Sequence, residues 1–212
     1  DRDTRHTMEA LLRMLGDAGC RVDTDARPDF TLEQVFGVFG DLLFAALSGG
    51  HPRGKIEQLA GDSSDTPLGW IKRSTAMRHR DWLSANERRL QFREQWSHFF
   101  EDHDVVLMPV HPRPAIPHDH SQPQFGRRVI IGGVERDYLD LWRWISPAGA
   151  AYLPATVVPI GLSETGLPIG VQIVGPFLHD RTTLRFGELI SDLVADRHGW
   201  QGPSPRPALA GA

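Results

Sequence analysis

The sequence predicts an α/β fold. Segments with helical hydrophobic periodicity alternate with short apolar runs of strand length, and 40% of the 212 residues are hydrophobic, enough for a real core. Helices interleaved with strands are the mark of that class. Charged residues make up 24%, a share that argues against disorder.

Residues 4–19 open the chain as an amphipathic helix. Met8, Leu11, Leu12, Leu15 and Ala18 recur at helical spacing, and Gly19 ends it. A short extended piece follows at 21–24. Pro28 breaks the chain, and Thr31 with Gln34 makes a capping-box start for a second helix through Leu47. The run 48–52 is a Gly-Gly-containing turn, and 53–60 is a short helix. A long helix is expected over 74–101, with Trp82, Ala85, Phe92, Trp96 and Phe99 on one stripe. Such a stripe is the ordinary signature of core packing.

The apolar run 105–110 suits a buried strand, and the Pro- and His-rich stretch 111–124 reads as an ordered loop. Residues 128–131 followed by Gly132-Gly133 predict a hairpin, and 138–144 has helical spacing again. Two further strands are expected at 155–160 and 169–174, with Gly166 in the turn between them. Their runs lack clean alternation, so the sheet should be covered on both faces. Asp180 caps a last helix over 181–194. Residues 1–200 are thus expected to form one domain, and the Pro- and Gly-rich tail 201–212 to be mobile.

The formal charge of -4 gives no basic field, which argues against a nucleic-acid partner. No apolar run approaches the ~20 residues of a membrane span. The opening DRDTRHTMEA has no signal-peptide core, and it starts at Asp1 rather than Met, so the chain is expected to be processed or truncated. Cys20 is the only cysteine, which leaves no internal disulfide and no multi-cysteine zinc site. It reads as a small buried residue, and its solitude fits a reducing, cytoplasmic setting.

The stretch Leu153-Pro-Ala-Thr-Val-Val-Pro-Ile-Gly161, followed by Gly166-Leu-Pro-Ile-Gly-Val-Gln-Ile-Val-Gly175, resembles the closing segment of the amidase-signature family of amide hydrolases. Asp104-Val-Val-Leu-Met-Pro109 is similar to the family's step from Asp through an apolar strand to Pro, and the helix from Asp180 to its terminal helix. A narrower resemblance, to a bacterial subgroup, rests on Pro117-His-Asp-His-Ser121, Tyr138-Leu-Asp140, Trp144 and Tyr152-Leu-Pro-Ala-Thr156. The wider family usually has Asn and Gly shortly before the Pro-Ala step, where this chain has Gly149 and Tyr152.

The resemblance implies a large mixed sheet covered by helices, of which this chain is the C-terminal part. It implies hydrolysis of a carbon–nitrogen amide bond by a nucleophilic Ser, a bridging Ser on a cis peptide and a Lys base. A hydroxyl needs an adjacent base to become a nucleophile, and preorganised donors must hold the oxyanion. The required Gly/Ser-rich loop and strand-end lysine are missing. Ser48-Gly-Gly50 runs into His51-Pro52, Ser63 and Ser64 sit between Asp62 and Asp65, and Lys55 and Lys72 lie in GKIE and IKRS. No catalytic residue is assigned to this chain, no cofactor is implied, and the missing N-terminal half is the expected partner, with a homodimer also open.

For the substrate pocket of the complete enzyme, which takes a small-molecule amide, the resemblance points to Trp144 as a wall. Trp142, Tyr152, His118 and His120 are further candidates, the histidines near the mouth. Core packing is the plain reading of both tryptophans. His118 and His120 project to one side of an extended segment, with His111 and Asp119 near in sequence. A closed zinc site needs further ligands in fixed geometry, so no metal site is assigned. Gly161-x-Ser163-x-x-Gly166 has the wrong spacing for a nucleophile elbow and reads as a turn. Three rivals stay open: a binding module that kept the fold, a complementing partner of a separate catalytic chain, and a His-dependent metalloenzyme.

Overall fold

A computed structural model of the chain describes residues 1–198, so the tail at 201–212 lies outside the described residues. Helix α1 (Arg2–Asp17) buries Thr4, Met8, Leu11, Met14 and Leu15. Met14 takes the place expected of Leu12 and Ala18 on its inner stripe. Gly19, at φ +91°, ends the helix where predicted. Cys20 lies beyond the last buried turn and is exposed, contrary to expectation. No strand forms at 21–24. The Asp23 carboxylate accepts the N–H groups of Asp25 and Ala26 at 2.8 and 2.9 Å, a local turn that competes with extension.

Helix α2 (Leu32–Leu47) starts on the expected capping box. Thr31 accepts from the Gln34 N–H at 3.2 Å while the Gln34 side chain accepts from the Thr31 N–H at 2.8 Å. With the turn after it, Leu32–Gly50 has the length and apolarity of a membrane span, which the sequence reading did not register. Val35, Phe36, Val38 and Phe44 of this helix are buried inside the protein.

The long helix expected over 74–101 forms from residue 79, and a separate helix that was not expected from the sequence precedes it. After α3 (Arg53–Ala60), α4 runs over Pro67–Thr75 and α5 over His79–Asp102. Thr66 caps α4 by accepting from the Gly69 N–H at 3.1 Å, and Pro67 occupies the first turn, where a missing N–H costs nothing. Ala85, Arg89, Phe92 and Trp96 form the buried face of α5, whereas Trp82 is on its open side. His103 ends α5, and its Nδ1 donates to the Phe99 carbonyl at 3.0 Å.

Three strands form the main sheet in the order β1 (Val106–Pro109), β5 (Pro168–Val174), β4 (Ala155–Leu162). Both pairings are antiparallel, and Gln172 of β5 lies between Met108 and Val157. A separate hairpin joins β2 (Arg128–Ile131) to β3 (Val134–Asp137). Gly132 and Gly133, at φ +59° and +81°, supply its two left-handed turn positions. The fold is thus the mixed α/β class expected, although five α-helices precede the first strand and the elements do not strictly alternate.

One sheet face carries Val158, Ile160, Ile169, Val171 and Ile173 against α1 and the last helix, α7 (Asp180–His198). Leu11, Ile173 and Ile190 are fully buried there, each contributing about 1.5–3 kcal/mol of apolar transfer. On the other face, Met108 and Val174 pack with Trp96, Ala148, Ala151 and Leu153. Cover on both faces therefore holds for β5. It fails for β4, where Val157 is 53% exposed beside a cavity of about 380 Å³.

Candidate functional site

Two of the five sequence candidates, Trp144 and Tyr152, fall at one corner, whereas Trp142, His118 and His120 lie elsewhere. A 3-10 turn over Tyr138–Ile145 leads into α6 (Ser146–Ala151), a helix the sequence reading did not foresee. Pro147 in its first turn was the available signal. Tyr152 closes α6 in the left-handed region, at φ 57° and ψ 38°, and Leu153-Pro154 delivers the chain into β4. The Leu153 N–H donates to the Ala148 carbonyl at 3.0 Å, and the Gly175 N–H to the Pro154 carbonyl at 3.1 Å. The corner is thereby tied to β5.

Trp144 and Tyr152 flank α6 at its two ends. The Trp144 ring packs against the cluster of Trp96, Met108, Ala148 and Leu153. Its carbonyl accepts from Gln172 Nε2 at 3.0 Å. Tyr152 is 62% exposed, and the guanidinium of Arg89 lies 4.3 Å from its ring centroid. Trp142 points elsewhere, into a cluster with Phe44 and Phe125, whose ring centroids are 6.4 and 5.5 Å away. Its plain reading as a packing residue fits those contacts.

His118 and His120 lie on an exposed loop, their ring centroids 6.1 Å apart. Between them the Asp119 carboxylate accepts from the Ser121 N–H at 2.8 Å, which lowers its pKa. Crowding around His111 lowers the pKa of its imidazole and favours the neutral ring. Among the described residues, no three His, Cys, Asp or Glu side chains gather as metal ligands would.

The serine–lysine question centres on Asp62. Lys72 Nζ donates to one carboxylate oxygen at 2.6 Å, and Ser64 Oγ to the other at 2.5 Å. Those bonds hold the Asp62 carboxyl well below the usual carboxylate range. Lys72 is thus a cation neutralised by an acid. The Ser64 hydroxyl proton also points to that acid rather than to an amine base.

Two residues at the corner escaped the sequence reading. Gln172 is 4% exposed inside an apolar strand, and Arg89 is 7% exposed on the apolar face of α5. Arg89 follows Ala85 by four residues and precedes Phe92 by three, so its place on the buried stripe was legible from spacing alone. Its Nε donates to Asn86 Oδ1 at 2.9 Å, while one terminal nitrogen is buried without a partner.

Comparison with known proteins converges on one group. The family model described as Amidase matches residues 64–184. Indoleacetamide hydrolase of Bradyrhizobium diazoefficiens is 28% identical over 180 residues, which is 82% of this chain and 32% of that protein. A glutamyl-tRNA(Gln) amidotransferase subunit of Gluconobacter oxydans is 29% identical over 55% of this chain and 22% of its own length. A solved amidase superposes with a TM-score of 0.66 at 21% identity, covering 91% of this chain and 41% of the other. A bacterial aryl acylamidase of the amidase-signature family gives 0.65 at 18% identity, covering 94% and 43%. The structural matches speak for the fold. The chain spans a minor part of each relative's length.

Proposed function

The chain belongs to the amidase family, and from that premise we propose that it builds one wall of the substrate pocket in an enzyme that hydrolyses carbon–nitrogen amide bonds. In this reading the nucleophilic serine, the bridging serine and the lysine base lie outside these 212 residues. The observation that carries it is the capture of Lys72 and Ser64 by one carboxylate, at 2.6 and 2.5 Å. A lysine base must face the serine hydroxyl it activates, whereas here both Lys72 Nζ and Ser64 Oγ donate to the carboxylate. Lys55, the other lysine, reaches Gln58 at 3.2 Å in an exposed setting. In this reading the wall is the α6 corner, where Trp144 packs inward and Tyr152 is exposed. Apolar and aromatic walls with few polar groups suit a small-molecule site.

A second reading is a complementing partner without chemistry of its own. It is favoured by the sheet, since among the described residues β1 and β4 each pair on one side only. An unpaired strand edge offers a template for another chain. Likeness to an amidotransferase widens the first reading, with amido transfer in place of hydrolysis.

Intact mass and amide hydrolysis of the protein from its source, measured beside the 212-residue chain, test the proposal. A longer, active source protein and an inactive chain are expected. An active source protein of the same mass as the chain contradicts it.

A further inference from the structure

The cavity of about 380 Å³ beside β4 combines apolar walls with polar groups that lack partners. Val110, Val157 and Pro159 give it apolar surface, and Thr4, His111 and Arg113 line its polar side. Thr4 is 5% exposed, and its Oγ1 is buried without a hydrogen bond among the described residues. Arg113 donates from Nη1 to the Ile130 carbonyl, yet its Nε is buried with no acceptor among them. Buried polar groups find partners in nearly all folded proteins. Both atoms therefore point to a covering group that the described residues do not supply.

The first residue lies at the same rim. The Asp1 amino group donates to the carbonyl of Pro112, between His111 and Arg113, at 2.9 Å, and Thr4 stands in the first turn of α1. Partial burial, and then the charges of Arg5, Arg113 and Arg136, lower the pKa of that amino group. A peptide N–H in its place keeps the bond to Pro112 and sets no charge against three guanidinium groups.

We propose that the segment preceding Asp1 in the longer enzyme lies across this cavity. Its apolar side chains fill the space against Val157 and Pro159, and its backbone carbonyls accept from Arg113 Nε and Thr4 Oγ1. The inference rests on the reading of this chain as one part of a longer amidase, and it assigns where the remainder first meets this part. The relatives leave ample chain for it, since the match to the indoleacetamide hydrolase takes up 32% of that protein. Each residue extends a chain by at most about 3.6 Å, so roughly five residues upstream of Asp1 bridge a space of this volume. A small-molecule occupant is the alternative that the test separates.

Val157→Cys in a Cys20→Ser background reports on the cavity through its rate of alkylation by N-ethylmaleimide, read by peptide mass mapping. The 212-residue chain and the protein from its source are compared. Alkylation is expected to be at least roughly tenfold slower in the source protein, because a covered site reacts only through local opening. A second readout identifies the cover. With p-benzoylphenylalanine in place of Ala115, an exposed residue at the cavity, irradiation of the source protein should join that loop to the peptide just upstream of Asp1. Equal alkylation rates in a source protein longer than the chain overturn the inference and leave the amidase reading standing. A photoproduct with any other segment, or none, also overturns it. A source protein no longer than the chain contradicts both together.

Discussion

Gln172, at the centre of the three-stranded sheet, donates from Nε2 to the carbonyl of Trp144 at 3.0 Å. The bond joins the strand that organises the core to the turn that presents the candidate pocket wall. Gln172 is 4% exposed, so its amide has protein groups instead of water as partners. Gln172→Leu is expected to destabilise the chain by about 1–3 kcal/mol, because a largely enclosed carbonyl loses its donor. Urea unfolding checks this, with a lower midpoint at unchanged slope. The Trp144 environment should change with it, visible as a shift in tryptophan emission.

Gly40 faces the ring of Trp70, and a Cβ on it would overlap that ring. The ring has little room to retreat, because Trp70 Nε1 donates to Asp41 Oδ1 at 2.8 Å. Gly40→Ala should cost about 1–3 kcal/mol through forced separation of α2 and α4. Asp41→Ala, which removes the acceptor that tethers the indole, should lessen the clash in the double variant if Trp70 is the obstacle. A thermodynamic cycle on the two changes measures that coupling.

Arg89→Met is expected to leave stability unchanged or to raise it, since it removes a buried charge whose one terminal nitrogen has no partner. A loss above about 2 kcal/mol would show that Tyr152 and Asn86 satisfy the guanidinium better than the geometry indicates. Chemical denaturation gives the value.

Acid should weaken the fold through its bonded carboxylates. Asp62 is held low by Lys72 and then Ser64, Asp119 by the Ser121 N–H, and Asp23 by the Asp25 N–H. A carboxyl with a depressed folded pKa contributes stability above its ordinary value of 3.8 and loses it as pH falls through the folded one. His111, lowered by burial, adds a loss that begins on acidification below its ordinary 6.5. The unfolding midpoint should therefore drop on acidification, first below about pH 6.5 through His111 and then below about pH 4 through the carboxylates, and only the second fall should be shallower in Asp62→Asn.

Helix starts were the most legible part of the fold, because caps are local chemistry. Thr31 with Gln34 announced α2, and Gly132-Gly133 announced the hairpin. Helix α4 was missed although Thr66-Pro67 signalled its start, and Ser74 and Thr75, expected to open the long helix, close α4 instead. The turn at Asp23 replaced an expected strand, since a side chain satisfied the backbone before any partner strand could. At the site, residue types were readable and their grouping was not. Trp142 and Trp144 are two apart in sequence, yet they enter different clusters, because a 3-10 turn carries them. The left-handed Tyr152 and its ring contact with Arg89 are defined by tertiary structure, which spacing alone does not reveal.

Intact-mass analysis of the 212-residue chain after exposure to a fluorophosphonate tests the central claim most directly. An activated serine hydroxyl attacks the phosphorus, displaces fluoride and gains a phosphonyl mass. With Ser64 and Lys72 both bound to Asp62, the chain is predicted to remain unlabelled under conditions that label a complete amidase. Stoichiometric labelling at Ser64, lost in Lys72→Met, would contradict the account and place the active serine within this chain.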